Sequence, residues 1–208
     1  MLSQQLWQSH QDLVQACLEH PFVRGIATGE LKRDCFAFYV GQDAFFLESF
    51  ARAYSIAAAK APDWQGFTSF HRLAAGVLKE LELHENYALQ WGVDLRKVQP
   101  ANATRRYTDF LLATAWMGDI GAIAVAMSPC MRLYAYLGQQ LALEPISENP
   151  YQAWIDSYSG DEFAALASQL EELADKYALM TENISLSYRY ALSCEQDFFS
   201  AAYSRGKS

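Results

Sequence analysis

The sequence predicts an all-α protein: a bundle of about seven or eight helices, residues 1–208 forming one domain. Three observations carry this. Apolar residues recur at steps of three and four through long stretches, with no period-two alternation and no hairpin signal. Glycine and proline fall mainly between those stretches. Hydrophobic residues make up 51% of the chain, enough for one substantial core at this length.

The elements follow in order. Ser3 caps a first helix that stops near His20-Pro21. An irregular stretch, PFVRGIATGEL, comes next. A second helix spans about Asp34 to Lys60, and a third about Trp64 to Trp91, ending at Gly92. Asn102 caps a fourth that reaches about Met117. The fifth runs from Asp119 to about Leu143 and carries Pro129, which removes one backbone hydrogen bond and kinks it. Asn149-Pro150 opens a short helix closing near Ser159-Gly160. The last segment runs from Asp161 to about Tyr203, broken near Tyr177, and the tail SRGKS (204–208) frays.

A formal charge of −8 and a pI near 5 argue against nucleic acid and anionic membranes as partners. The N-terminal MLSQQLWQSHQDL has no basic segment followed by an apolar one, so no secretory signal is expected. No run approaches the ~18 apolar residues of a membrane span. Cysteines 17, 35, 130 and 194 are widely spaced without a CxxC pair. They read as reduced thiols of a cytoplasmic protein, not as a disulfide frame or a zinc site. Twelve tyrosines and twelve phenylalanines can line a pocket for a flat organic ligand, though they equally make an aromatic core.

Two carboxylates stand on apolar faces. Tyr39, Asp43, Phe46, Phe50 and Tyr54 share one face of the second helix. Asp43 there either pairs with an arginine, caps a neighbouring helix, or serves a pocket. Ile184, Tyr188, Leu192, Glu195 and Phe199 form a second stripe, broken by Glu195. Two carboxylates in one pocket split their pKa values, which suits acid–base work. Ala126, Cys130, Tyr134 and Leu137 align on the fifth helix. Taken alone, Cys130 is a small buried hydrophobe more readily than a nucleophile. Pro129 raises it, by ending the preceding turn and leaving the thiol near a fresh helix N-terminus that favours thiolate. Tyr107 on the fourth helix and Tyr158 on the short one, singly, are ordinary core residues. Glu80, Glu82, His84 and Glu85 lack the Glu-x-x-His spacing of a di-iron bundle, and with Lys79 they read as a solvated face. No phosphate-cradling glycine loop, GxSxG or HExxH is present.

HPFVRGIATGELKRDCFAFYVGQDAFFLESFARAY, YTDFLL, MSPCMRLYAYLG, NPYQAWIDSYSGDEF and SCEQDFFSAAY, in that order, resemble the TenA/thiaminase II family over nearly the whole chain. The resemblance implies a haem-oxygenase-like bundle, a homotetramer, and no haem, metal or other cofactor. It implies hydrolysis of 4-amino-5-aminomethyl-2-methylpyrimidine to the hydroxymethyl pyrimidine and ammonia, in thiamin salvage, with thiamin itself cleaved in some members. By the same resemblance Cys130 is the nucleophile and Asp43 holds the pyrimidine ring nitrogen and amino edge. Glu195 is the acid/base for the leaving amine and the incoming water, and Tyr107, Tyr134 and Tyr158 are pocket tyrosines. The chain departs from its relatives at Phe46, where they often have tyrosine, at Phe199, where they often have tryptophan, and at Ala122, where some have glutamate. Three rival readings stand: an oxidase on the same bundle, either dinuclear-iron or PqqC-like; a non-catalytic pyrimidine binder; and a purely structural helical protein.

Overall fold

The structure, a computed structural model, describes residues 1–143 and 146–205, and the side chains of all of these except Leu83 and Asn86. Among the described residues there are ten α-helices, a 3-10 turn at Leu95–Lys97 and no strand. The all-α prediction holds, but the count of seven or eight is too low, and the N-terminal region accounts for much of the difference. The expected first helix is two, α1 (Leu2–Ser9) and α2 (Gln11–Leu18), separated at His10, whose φ of −121° and ψ of 27° break the helical path. Ser3 does not cap. It lies inside α1, where its backbone N and Oγ donate to the Asp175 carboxylate at 2.7 and 2.9 Å.

The stretch expected to be irregular contains α3 (Pro21–Ala27). Pro21 sits where a helix loses nothing by lacking an N–H, and His20 Nδ1 accepts from the Phe22 N–H at 3.1 Å. A side chain outside the usual Ser/Thr/Asp/Asn set therefore supplies the start signal.

α4 (Arg33–Lys60) and α5 (Trp64–Gln90) lie close to their predicted bounds, with Asp63 capping α5 and Gly92 following it at φ +76°. In α6 (Asn102–Met117), Asn102 is the first helical residue and makes no cap; Ala101 holds the cap position. Gln42 of α4 holds that end of α6 instead, its Oε1 accepting from Ala101 N at 2.8 Å and Thr104 Oγ1 at 2.6 Å. α7 (Ile120–Ala142), α8 (Gln152–Ser159), α9 (Asp161–Tyr177) and α10 (Glu182–Ser204) complete the order. Of the tail expected to fray, Ser204 ends α10 and the Arg205 guanidinium lies 4.5 Å from the Phe38 ring centre; residues 206–208 lie outside the described residues.

α7 is the central helix. By length and composition alone it could cross a membrane, contrary to the sequence expectation, yet 83% of its most apolar window is buried inside the bundle. Its apolarity is what a helix surrounded by other helices requires. Two glycines let neighbours approach it. A Cβ on Gly121 would overlap the backbone of Tyr177, and one on Gly138 would overlap the backbone of Tyr158 and Ser159. Close approach at Gly138 brings α8 against α7, so that Tyr158 meets Tyr134 edge-on at 4.8 Å.

Candidate active site

A cavity of about 350 Å³ opens within the bundle and reaches the five side chains predicted to carry chemistry or ring contacts: Asp43, Tyr107, Cys130, Tyr158 and Glu195. Tyr134 and Phe46 line it too. They come from five helices, so the cavity exists only in the assembled fold. α4 contributes Asp43 and Phe46, α6 Tyr107, α7 Cys130 and Tyr134, α8 Tyr158, and α10 Glu195.

The inner end is closed. Glu195 is 2% exposed and Asp43 8%. Tyr107 Oη donates to Glu195 Oε1 at 2.8 Å, and the Cys130 thiol also hydrogen-bonds Glu195. Behind the ring wall, Trp154 Nε1 donates to Tyr39 Oη at 3.2 Å, which lies 3.3 Å from Tyr134 Oη. This network fixes Tyr134 before any ligand arrives. Phe46 packs against Tyr107 with ring centres 4.9 Å apart and against Phe50 at 5.2 Å. It occupies an aromatic cluster and offers no hydroxyl to a ligand.

Burial sets the electrostatics. It raises the Glu195 carboxyl to about 7; the hydrogen bonds from Tyr107 and Cys130 pull the other way and the Asp43 charge adds to the rise. Burial also raises Asp43 to about 6, opposed by His84. No arginine pairs with Asp43 in any ion pair among the described residues. The two carboxylates do not split apart as expected: burial raises both, to neighbouring values, and leaves both near neutrality, where acid–base groups work.

Cys130 differs from expectation. α7 continues unbroken through Pro129, so the thiol lies in mid-helix and not at an N-terminus. The carbonyl that Pro129 leaves without a donor, Val125 O, accepts from Ser128 Oγ at 3.2 Å, which is how the helix absorbs the proline. Burial, then Glu195 and Asp43, push the thiol well above its ordinary value. Its resting form is therefore the neutral thiol, and any thiolate has to be made by proton transfer to a neighbour. Glu195 is the neighbour in hydrogen-bond contact.

Sequence reasoning placed Glu80 on a solvated face, and it is solvent-exposed, but its place in the cavity lining was missed. The structure puts Glu80 on the cavity wall beside Leu73 and Val77 of α5. The residue has access to solvent because the cavity opens there. Its carboxyl is nevertheless crowded enough that burial, and then Asp43, raise it to about 7, with His84 opposing. The signal was legible: Leu73, Val77, Glu80 and His84 step by four, three and four, one helical face. Lys79, Glu82 and Glu85 are exposed, as expected, although Lys79 also borders the cavity. His84 is buried, its Nε2 2.9 Å from Val40 O. Among the described residues no group of three His, Cys, Asp or Glu side chains is arranged to hold a metal ion.

Known proteins share this architecture. Residues 7–204 match the model of the TENA/THI-4/PQQC family. The chain is 37% identical over 208 residues to a bifunctional TH2 protein, mitochondrial, of Arabidopsis thaliana, covering 87% of this chain but only 34% of that protein. It thus spans about a third of that relative's length. With a protein named aminopyrimidine aminohydrolase from Halalkalibacterium halodurans it shares 34% identity over 179 residues, 83% of this chain and 80% of the relative. Among solved structures, a TenA homologue from P. horikoshii OT3 superimposes with a TM-score of 0.91 at 25% identity, covering 99% of this chain and 100% of that one. A domain with a heme oxygenase-like fold from Shewanella denitrificans OS217 superimposes with a TM-score of 0.77 at 12% identity, over 99% of this chain and 92% of that one. The fold is the haem-oxygenase-like bundle, and the chain belongs to the TenA/THI-4/PQQC family.

Proposed function

We propose that this chain is a cysteine-dependent aminopyrimidine aminohydrolase of thiamin salvage, converting 4-amino-5-aminomethyl-2-methylpyrimidine and water to the hydroxymethyl pyrimidine and ammonia. The observation that carries the reading is the meeting of Cys130, Glu195 and Asp43 at the closed end of one aromatic cavity. The resemblance to proteins named for this activity supports it.

Each step has a candidate residue in the cavity lining. Rings at Tyr107, Tyr134, Tyr158 and Phe46 stack and orient the flat pyrimidine. Cys130 sulfur adds to the ring carbon beside a ring nitrogen while Glu195 takes its proton; the displaced electron pair goes to the ring nitrogen. Asp43 shares a proton with that nitrogen and stabilises the charge arriving there. The electrons then return outward to break the exocyclic C–N bond, and Glu195 gives the thiol's proton to the leaving amine, releasing ammonia. Water adds to the methylene and loses a proton to Glu195. Cys130 leaves, regains that proton, and the ring is aromatic again. Glu195 thus moves a proton in every step, which suits a carboxyl raised to about 7.

Within the same reading we place the protein in the cytoplasm, as a homotetramer with no cofactor and no nucleic-acid or membrane partner. Its four cysteines are free, and exposed apolar side chains such as Trp116, Met117, Leu179 and Met180 are the kind of surface that association covers.

An ammonia-release assay with the aminomethyl pyrimidine, run beside thiamin, tests the activity. Ammonia release from the pyrimidine is expected. Tight binding without ammonia would turn the protein into a binder, and neither binding nor release would sink the reading.

A further inference from the structure

The cavity has a second end that the mechanism above does not use. Between α5 and α9 its wall changes from buried rings to accessible residues: Gly76 and Glu80 on one side, Glu162 on the other. This is the mouth. Resting on the reading above, we propose that Glu80 and the Tyr54 hydroxyl form a specificity subsite that binds the positive charge on the leaving-group arm of the pyrimidine, selecting cationic 5-substituents over neutral ones.

Three observations support it. Tyr54 is 1% exposed, yet its hydroxyl has no hydrogen-bond partner among the described residues. A buried hydroxyl left unpaired is costly, and this one belongs to a side chain that lines the cavity. A ligand donor or acceptor placed there removes the cost. Glu80 likewise appears in no ion pair among the described residues. A carboxylate that lines a cavity without an ion-pair partner is favoured by a cation beside it, and the rise of its carboxyl to about 7, caused first by burial of the group and then by Asp43, has the same sense. Gly76 stands one turn before Glu80 on the same helix, and a Cβ added there would meet nothing within 4 Å. Glycine inside a helix costs about 1 kcal/mol relative to alanine, and neither close packing nor a positive φ demands it here. What it provides is open space beside Glu80 for a substituent.

Charge explains the division of labour. Glu195 is closed in with Cys130 and Tyr107 and cycles a proton, so it cannot remain a constant countercharge. Glu80 bonds to none of these groups: it can hold the ammonium as it enters through the mouth and take up the proton the arm sheds before Glu195 protonates the leaving amine.

The test measures dissociation constants in a Cys130→Ala background, where bound substrate persists, for the cationic aminomethyl pyrimidine and the neutral hydroxymethyl pyrimidine. Glu80→Gln should weaken the aminomethyl compound at least about tenfold, the worth of one charged hydrogen bond, and leave the hydroxymethyl compound within about twofold. Tyr54→Phe should weaken the cation too, without lowering Tm, because it deletes an unpartnered group. Equal weakening of both ligands by Glu80→Gln, or no weakening of either, overturns the proposal. If the parent binds neither pyrimidine, the substrate reading itself fails and the subsite goes with it. Binding of both pyrimidines with no discrimination by Glu80 leaves that reading standing and removes only the subsite.

Discussion

The two ends of the cavity use the same residue types in opposite ways. At the inner end, Glu195 is satisfied by Tyr107 and Cys130 and sealed from solvent. At the mouth, among the described residues, the buried Tyr54 hydroxyl has no hydrogen-bond partner and Glu80, which solvent reaches, is in no ion pair. Both glutamates are raised to about 7, chiefly by burial. Similar titration therefore does not mean similar work: hydrogen-bond context separates a group that moves protons from one that waits for a charged ligand. The inner end is preorganised, and the mouth is left incomplete.

Substitution at both ends sets the comparison in numbers. Glu195→Gln is expected to lower kcat about 10²-fold or more, the value of a lost acid/base. Glu80→Gln is expected to raise KM with kcat within about twofold. Steady-state kinetics on the pair would break the comparison if both variants lost kcat alike, and a small kcat loss in Glu195→Gln would demote Glu195 to binding.

Tyr107→Phe removes a hydrogen bond that favours ionised Glu195. We expect about a tenfold loss in kcat/KM. Because an ionised Glu195 is needed to accept the Cys130 proton, activity falls on the acid side of its pKa. Without Tyr107's hydroxyl that pKa rises further, so the acid limb of the kcat/KM profile should move to higher pH. An unmoved limb would detach Tyr107 from the acid/base.

Stability carries the same signature. Burial raises Asp43 and Glu195 above their ordinary values of 3.8 and 4.5, to about 6 and about 7. Such carboxyls stabilise the fold fully below about pH 4, and that contribution is lost as pH rises through about 6 to 7, by something on the order of 3 kcal/mol for Asp43. Thermal melts should therefore show Asp43→Asn gaining on the wild type as pH rises from about 4 to 7. A constant difference across that range would contradict the burial account of Asp43.

The smallest effect is at the mouth. Gly76→Ala should stabilise the protein by about 0.5–1 kcal/mol, since the added methyl meets open space. Destabilisation in a denaturant titration would show that the glycine is structurally required.

Much of this was legible in the sequence. Helical spacing put Asp43 and Glu195 on apolar faces, and the structure buries both. Resemblance supplied Cys130, Tyr107, Tyr134 and Tyr158 as a set, and the structure brings them to one cavity. Local chemistry outside the usual rules was not legible. His20 caps α3 with a ring nitrogen, and Ser3 and Asn102 spend their polarity elsewhere than on caps. Pro129 does not break α7, because Ser128 satisfies the freed carbonyl, so the expected thiolate-favouring helix end does not exist. Glu80's place on the cavity wall was written in its helical spacing from Leu73 and Val77 and masked by its charged neighbours.

The central claim is that Cys130 sulfur does the bond-making chemistry from a neutral thiol activated by Glu195. Its most direct test is ammonia release from the aminomethyl pyrimidine by the wild type and Cys130→Ser side by side, with circular dichroism reporting the helical fold of each. The account predicts release by the wild type and none above background by a fully folded Cys130→Ser. Full turnover by that variant would contradict it.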